Sequence, residues 1–185
     1  AQVVFTTAPL LRRATLKAAA RFPKVRFLNC SVDQPYSSIC SYYGRVYEGK
    51  FITGAIAGAM AQNDRIGYIA SYPIFGVPAS INAFALGAQL TNPRAQIELR
   101  WSCTTGNHQA DFLASGIRVI SNRDTPVQSG MYLDFCNYGT YQLSDRGDLI
   151  PLASPVWVWG NFYEAAAEKL LNGTWKNEKG HPTNY

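Results

Sequence analysis

The sequence has little charge and few of the side chains on which enzymes most often depend. Of its 185 residues only 16% are charged, two are histidines, and the four cysteines form no Cys-x-x-Cys pair. It contains no His-Glu-x-x-His, Gly-x-Ser-x-Gly, Walker or Gly-x-Gly-x-x-Gly motif. His108 lies at a predicted helix start and His181 in a polar tail, with no second metal ligand beside either. Since no nucleophile and base can be paired, we predict a protein that is not an enzyme, with no catalytic residue, no metal and no cofactor.

Long hydrophobic runs are also missing. The longest stretch of apolar and small residues, 51–61, is far shorter than the roughly 20 residues that span a bilayer, so no transmembrane helix is predicted. The chain begins without Met, and a buried-strand pattern starts at its second residue. We therefore expect that the sequence begins inside a domain and that any targeting signal lies in sequence not shown.

The positive charge is concentrated near the amino terminus. The net charge is +5, and six of the 17 basic residues are Arg12, Arg13, Lys17, Arg21, Lys24 and Arg26. A nucleic-acid surface would use such a cluster. However, Arg13, Lys17 and Arg21 repeat at four-residue spacing on an alanine-rich helix, which is typical of a solvated face. No nucleic-acid motif accompanies them, so we predict no nucleic-acid partner.

Strands and helices alternate along almost the whole chain. The predicted strands are 3–6, 24–30, 65–71, 97–103, 117–121, 131–136 and 150–153, and the predicted helices are 8–21, 43–62, 78–90, 108–115 and 162–171. Residues 31–41, which contain Pro35 and several serines, are interpreted as a loop. This alternation predicts an α/β fold with parallel sheets and flanking helices.

In such sheets, ligands bind beyond the carboxyl ends of the strands. That rule selects Thr7, Ser31, residues 72–75, Thr104, residues 122–124, Asn137 and Tyr138. Asp124 is the clearest acidic residue among them. It could accept hydrogen bonds from a ligand's hydroxyl or amine groups, or it could cap a helix, since Thr125 and Pro126 follow it.

Aromatic residues cluster near the predicted element ends. They include Phe75, Trp101, Tyr138 and Trp157. Flat rings at strand ends are suited to stacking on a sugar or a heteroaromatic base, and the alternative for each of them is core packing. Cysteines offer less: three of the four (Cys30, Cys40, Cys103 and Cys136) lie in or at the end of strand-like runs. Buried free thiols are expected, although the even number permits disulfides.

Four groups of segments resemble the basic membrane protein family of ABC-transporter solute-binding proteins. The resemblance is to the purine nucleoside-binding lipoproteins of that family. The four groups are VFTT at 4–7 with ATLK at 14–17 and FPKVRFLNC at 22–30; YGRVYEGKF at 43–51; IGYIASYPI at 66–74 with INAFALGA at 81–88; and PVWVWG at 155–160 with FY at 162–163. They occur in the family's order and cover nearly the whole chain.

The resemblance implies a type I periplasmic-binding fold, in which two Rossmann-like lobes close on a ligand in the cleft between them. The first lobe would be incomplete, because the family's first strand and helix lie upstream of Ala1. Residues 1–40 would form the partial amino-terminal lobe, 41–153 the second lobe, and 154–185 a return segment with a terminal helix. The expected partners are a purine-like small molecule and an ABC permease, with a membrane tether outside this chain on the extracytoplasmic side.

Taken together, the strand-end rule, the aromatic positions and the resemblance predict Thr7, Phe75, Trp101, Asp124, Asn137, Tyr138 and Trp157 as the ligand-binding residues. An aromatic ring would stack on the ligand, while Asp124 and Asn137 would hold its polar edge. Two departures weaken the purine site. Residues 104–107 (TTGN) replace an aromatic, an acid and a proline of the family, and residues 137–140 lack the family's strand-end aspartate.

An alternative function is a cytoplasmic ligand-sensing regulatory domain on the same fold. Four unpaired cysteines would suit a reducing compartment. A helix-turn-helix or other output domain elsewhere in the protein would identify this alternative, whereas a lipoprotein signal would identify transport. The fold itself does not separate the two functions.

Overall fold

The computed structural model describes residues 1–31, 38–73, 76–122, 139–175 and 183–184. The chain forms two compact units, the first from Ala1–Arg45 with Trp157–Tyr185 and the second from Val46–Val156. Each unit contains one sheet and its own hydrophobic core, and helices flank each sheet. The α/β class expected from the sequence is therefore confirmed.

The first unit is built on a parallel sheet. Its strands are β1 (Val3–Thr6), β2 (Arg26–Cys30), β3 (Cys40–Tyr43) and β9 (Thr183–Asn184), in that order across the sheet. Helix α1 (Arg12–Arg21) follows a 3-10 turn at Pro9–Leu11 and ends just before Pro23, whose ring cannot continue a helix. Helix α5 (Trp159–Leu171) has Asn172 as its C-cap, and Gly173 follows with φ 66°, a left-handed conformation that commonly follows a helix end.

Two apolar clusters fix these helices on the first sheet. One joins Ala19 of α1 to Phe27 and Ile39. The other joins Leu28 and Tyr42 to Phe162 of α5. Arg13, Lys17 and Arg21 of α1 are exposed, as the solvated-face interpretation of the basic cluster predicts.

The second unit contains a mixed sheet. Its strands are β4 (Arg65–Ala70), β5 (Gln96–Trp101), β6 (Val119–Ser121), β7 (Thr140–Leu143) and β8 (Leu149–Ala153), in the order β5-β4-β6-β7-β8. Its helices are α2 (Val46–Met60), α3 (Val77–Thr91) and α4 (His108–Ala114). Ala57 of α2 and Phe84 of α3 pack with Tyr68, whereas Phe112 of α4 packs with Ile120 and Tyr141.

The sequence prediction was wrong at two strands. β3 lies partly inside the segment interpreted as a loop, and Tyr43 pairs in β3, so α2 begins at Val46 and not at residue 43. β7 was not predicted, and it runs antiparallel to both β6 and β8. The turn between β7 and β8 explains the direction: Ser144 accepts hydrogen bonds from the Arg146 and Asp148 amides, and Gly147 has φ 84°. A short turn of this kind joins antiparallel strands.

Glycines allow α2 and α3 to pack closely. A Cβ at Gly54 would overlap the Phe84 carbonyl, and a Cβ at Gly87 would overlap the Phe51 carbonyl. The Thr91 hydroxyl donates a 2.7 Å hydrogen bond to the Ala55 carbonyl across the same contact. The two helices therefore form one rigid layer on the second sheet.

Candidate functional site

The carboxyl ends of β1, β2 and β3 lie at one edge of the first sheet, which we call the first carboxyl edge. Polar side chains lie in register there, at the ends of β1 and β2. Thr6 pairs with Asn29 in the sheet. The Asn29 carboxamide donates to the Thr6 hydroxyl at 2.7 Å and to the Ala8 carbonyl at 3.1 Å. The Thr6 hydroxyl in turn lies 3.0 Å from the Thr15 hydroxyl of α1. The amide side of Asn29 is thus fixed, which sets the direction of its oxygen.

Two buried oxygens at this edge have no hydrogen-bond partner in the described part of the chain. They are Oδ1 of Asn29, a residue with 0% exposure, and Oγ of Ser31, a residue with 2% exposure. The Ser31 amide donates to the Tyr42 carbonyl, so the backbone there is held by the sheet. Thr7, a predicted ligand residue, is exposed and follows β1 at the same edge. An unpaired buried oxygen costs about 1–3 kcal/mol, so a bound donor would relieve an existing penalty.

Tyr42 packs between the first sheet and α5. Its hydroxyl donates to the Thr6 carbonyl at 3.3 Å and lies 3.2 Å from the Tyr163 hydroxyl. Its ring stacks on Phe162, with the centroids 4.7 Å apart. Burial raises the pKa of Tyr42, and the contact with Tyr163 raises it further. Tyr42 is therefore a neutral packing residue beneath the edge.

Trp157 lies beside the end of β3. A Cβ at Gly44 would come within 2.5 Å of the Trp157 ring, so only glycine fits there. Trp157 also stacks nearly parallel to Trp159, at 6.4 Å and 7°. It remains partly exposed. The structure thus places Trp157 at the same edge of the first sheet as Thr7.

The second carboxyl edge comprises the ends of β4, β5 and β6 and the start of β7. Trp101 ends β5 opposite Ala70 of β4, and the Ser102 amide donates to the Ala70 carbonyl at 2.7 Å. Trp101 is half-buried and packs against the cluster that contains Ala70 and Phe84. The Trp101 ring therefore packs against the core, which was the alternative to stacking on a ligand. Part of the ring is still exposed at the edge.

A buried lysine supports this second edge. Lys50 of α2 has 0% exposure, and its ammonium donates to the Ser121 hydroxyl at 2.9 Å and to the Asn122 carbonyl at 3.3 Å. The ammonium also lies 5.0 Å from the ring centroid of Tyr68 and 5.9 Å from that of Phe84. Such contacts partly replace the water that a lysine loses on burial. Lys50 therefore fixes the point where the chain leaves β6.

Two neighbours of Ser121 are also buried polar residues. Thr140, which pairs with Ser121, has a hydroxyl without a hydrogen-bond partner in the described chain. Burial raises the pKa of Tyr141 to about 12, and the nearby Asn122 side chain lowers it in part. The Tyr141 hydroxyl nevertheless has no hydrogen-bond partner in the described chain. The Asn122 amide donates to the Gly139 carbonyl at 2.7 Å. The second edge thus contains an unpaired buried hydroxyl like that of Ser31.

Four of the seven predicted ligand residues lie outside the described residues, namely Phe75, Asp124, Asn137 and Tyr138. The predicted strand 131–136 lies there too. Of the other three, Thr7 and Trp157 are at the first carboxyl edge and Trp101 is at the second. The ligand-binding role of all seven stays a prediction.

The sequence contained signals for Asn29 and Lys50 that the prediction did not use. Asn29 is the one polar residue in the run FLNC, and Lys50 is the one charged residue between Glu48 and Asp64. A polar residue inside an apolar run is a candidate for a buried polar contact, and in the structure both residues are buried and donate hydrogen bonds.

Other site types find little support in the described ranges. Within them, no group of three or more metal-ligating side chains is close enough to hold an ion. None of the helices described is long and apolar enough to cross a bilayer. Cys30 and Cys103 are free thiols, and burial raises the pKa of Cys30 and Cys40. Cys103 is exposed just after β5, so the expectation of a buried thiol was wrong there.

A family profile and two curated relatives place this chain among ABC transporter substrate-binding proteins. Residues 1–118 match the profile of the family described as ABC transporter substrate-binding protein, PnrA-like. A purine-binding protein of Brucella abortus is 30% identical over 187 residues, which cover 96% of this chain and 53% of that protein. A protein of Haloferax volcanii, provisionally named an ABC transporter glucose-binding protein, is also 30% identical over 94% of this chain and 47% of its own length. The chain therefore spans about half the length of these relatives.

Solved structures confirm the type I periplasmic-binding fold. An ABC transporter solute-binding protein of Conexibacter woesei superposes with a TM-score of 0.63 at 15% identity, covering 99% of this chain and 69% of that one. A transcriptional activator of the comK gene from Bacillus halodurans superposes with a TM-score of 0.69 at 16% identity, covering 99% of this chain and 67% of the other. At these identities the likeness establishes the fold alone.

Proposed function

Because this chain belongs to the family of PnrA-like ABC transporter substrate-binding proteins, we propose that it is a solute-binding protein for a purine base or nucleoside. The ligand would bind at the carboxyl edges of the sheets. The chain would act as a binding component and perform no catalysis. The domain boundaries at residues 40 and 153, and closure of two lobes on the ligand, stay predictions.

The observation that carries this proposal is a pair of buried oxygens at the first carboxyl edge, Asn29 Oδ1 and Ser31 Oγ, for which the described residues supply no hydrogen-bond partner. Both lie where ligands bind in parallel α/β sheets. The carboxamide oxygen accepts hydrogen bonds only, and the serine hydroxyl both donates and accepts. Purines offer N–H donors next to ring-nitrogen acceptors, so one base edge can satisfy both oxygens.

Aromatic surface near the same edge supports a flat ligand. Trp157 is partly exposed beside Gly44, at the end of β3. Its near-parallel stack on Trp159 fixes the plane of its ring. A preorganised indole contributes stacking without a further loss of side-chain freedom on binding. Such a surface suits the flat ring of a purine, and it would also accept the apolar face of a sugar ring.

The relatives suggest two ligand classes. One relative is named a purine-binding protein and the other a glucose-binding protein, and both are 30% identical to this chain. The missing strand-end acid at residues 137–140 removes a group expected to hold ribose hydroxyls. We therefore place the free base ahead of the nucleoside, and glucose third.

The family also implies the partner and the compartment. A substrate-binding component works with an ABC permease at the extracytoplasmic side of the membrane, held there by a peripheral or lipid tether. The competing function, a cytoplasmic regulatory domain on this fold, is favoured by the free thiols at Cys30 and Cys103 in the described part of the chain. Both functions use the same ligand site, so they differ in the output domain and not in the binding chemistry.

A thermal-shift screen tests the proposal. The protein would be heated with adenine, guanine, hypoxanthine, their nucleosides, glucose and a set of amino acids. A ligand present at 100 times its dissociation constant adds about 2.7 kcal/mol, which raises Tm by about 5–10 °C for a chain of this size. We expect the largest shift from a purine. A shift from glucose alone would assign the chain to sugar binding, and the absence of any shift would contradict a solute-binding function.

A further inference from the structure

The excess positive charge of the chain lies in its first 32 residues. That stretch contains six basic side chains and no acidic one, whereas the rest of the chain contains eleven basic and twelve acidic side chains. The net charge of +5 therefore arises from the segment that holds β1, α1 and β2. A segment whose charges all have one sign is a candidate contact for a partner of the opposite sign.

Helix α1 arranges three of these side chains along one side. Arg13, Lys17 and Arg21 follow one another at four-residue spacing and are exposed, whereas Thr15 and Ala19, on the opposite side of the helix, are buried. We call the three basic residues the basic α1 stripe. The stripe is about 12 Å long, which is close to one Debye length at about 0.1 M salt. Its charges therefore act together on a neighbouring surface.

The turn after α1 adds one more charge and an aromatic ring. Lys24 is exposed, and Phe22 is 54% exposed. The Val25 amide donates a 3.0 Å hydrogen bond to the Phe22 carbonyl, which fixes this turn directly behind Arg21. Basic side chains together with exposed aromatic residues are typical of segments that lie at a membrane interface.

The described part of the first unit places no acidic side chain beside the stripe. The acidic residues described there are Glu164 and Glu168, both on α5. Helix α1 packs against Phe27 and α5 packs against Leu28, and neighbouring residues of a strand point to opposite faces of the sheet. The ion pairs formed among described residues lie in the second unit. The positive charge of the stripe is thus not neutralised by the described residues.

We propose that the basic α1 stripe docks on an anionic lipid bilayer. This inference rests on the proposed function, which places the chain at the extracytoplasmic side of a membrane. Each Lys or Arg near an anionic bilayer strengthens binding about fivefold, and a stripe along one helix lets three of them reach a flat surface together. The bilayer is the anionic surface beside which a substrate-binding component works, and the sequence shows no nucleic-acid motif.

Docking through α1 leaves the ligand edge open. The helix runs from the carboxyl end of β1 to the amino end of β2, and these two strands are parallel. The stripe therefore faces away from the sheet along its side, while the first carboxyl edge lies at one end of the helix. We expect vesicle binding and purine binding to be independent of each other.

Co-sedimentation with large lipid vesicles tests the proposal. The wild type should bind vesicles of phosphatidylcholine and phosphatidylglycerol, mixed at about 7:3, and should not bind vesicles of phosphatidylcholine alone. Binding to the anionic vesicles should fall at least about tenfold between about 50 and about 500 mM salt, because salt screens exposed charges.

Two matched double variants separate the stripe from the net charge. Lys17→Gln with Arg21→Gln should weaken binding to the anionic vesicles at least about tenfold. Arg146→Gln with Lys169→Gln removes the same charge from exposed positions in the β7–β8 turn and on α5. This control should change binding less than about twofold.

Circular dichroism must show that both variants keep their helices, and the salt series on the wild type tests the charge contact without any substitution. Absence of wild-type binding to anionic vesicles overturns the proposal, as does equal weakening by the two double variants. Tighter binding to a DNA duplex than to anionic vesicles would overturn it in favour of nucleic acid. Calorimetric titration with purines is a separate reading: purine binding without vesicle binding refutes the docking surface and leaves the solute-binding function standing.

Discussion

The Lys50 ammonium donates a hydrogen bond to the Ser121 hydroxyl over 2.9 Å, at a point where neither residue meets solvent. This bond ties α2 to the carboxyl end of β6. The Asn122 carbonyl, one residue further along, accepts a second bond from the same ammonium. A helix and a strand end that carry part of the candidate site are thus joined by one buried cation.

Replacing Lys50 by Met should lower the free energy of unfolding. Methionine matches the length and apolar contacts of the lysine stem, but it leaves the Ser121 hydroxyl and the Asn122 carbonyl without their donor. Loss of the donor to the buried Ser121 hydroxyl costs about 1–3 kcal/mol. Urea denaturation measures the change. Lys17→Met on the exposed face of α1 is the control and should stay within about 0.5 kcal/mol of the wild type; equal effects of the two substitutions would refute the role of Lys50.

Ser31→Ala should separate binding from stability. Because the Ser31 hydroxyl has no partner in the described chain, its removal should leave the free energy of unfolding unchanged or slightly higher. Loss of one hydrogen bond to the ligand should weaken binding about fivefold to tenfold. Isothermal titration calorimetry and urea denaturation provide the two readings.

The control for Ser31 is Ser80→Ala in α3. Ser80 is also buried, but its hydroxyl donates to the Gly76 carbonyl at 3.3 Å. This variant should lose up to about 1 kcal/mol of stability and bind ligand normally. The opposite pattern, with Ser31→Ala destabilised and its affinity intact, would show that Ser31 is structural.

Tyr141 should make the fold sensitive to alkaline pH. Burial raises its pKa to about 12 from an ordinary value of 10.0, so the folded state holds the phenol proton more tightly than the unfolded state does. This contribution is complete below pH 10 and is lost as the pH rises towards 12. Tyr141→Phe should reduce the fall in stability over that range by about 2 kcal/mol. Denaturation at pH 8, 10 and 11.5 tests this, and parallel pH profiles of the two proteins would count against it.

Gly87→Ala should destabilise the second unit. Its Cβ would overlap the Phe51 carbonyl, and separating α2 from α3 costs about 1–3 kcal/mol. Gly160→Ala is the opposite case, because no heavy atom lies within 4 Å of the added Cβ on α5. That variant should gain about 0.5–1 kcal/mol from reduced freedom of the unfolded chain. Thermal unfolding of both proteins gives the comparison.

Much of the fold was predictable because the pattern of apolar residues is strong. β1 has the predicted bounds, and β4 differs by one residue at its end. α3 begins at Val77, one residue before its predicted start, and Pro78 lies in its first turn, where a proline is tolerated. The missed strand β7 contains only four residues, TYQL, whose antiparallel pairing depends on the turn after Leu143. β3 was missed because its residues, CSYY, follow a serine-rich segment and because one of its two partner strands, β9, is distant in sequence.

The site was harder to predict than the fold. The strand-end rule correctly selected Ser31 as a residue at a carboxyl edge, because its position depends only on where β2 ends. The unpaired state of its hydroxyl depends on neighbours in other elements, and the sequence does not show those. Lys50 was hidden for the same reason: its partners, Ser121 and Asn122, are more than 70 residues away in the chain.

The most direct test of a solute-binding function is a calorimetric titration of the protein with adenine, guanine and hypoxanthine, and with their nucleosides. The account predicts that at least one purine binds with a stoichiometry near one and that Ser31→Ala weakens its binding while Ser80→Ala does not. Absence of heat from every purine at ligand concentrations up to about 1 mM, where binding would be weaker than about 4 kcal/mol, would contradict the account.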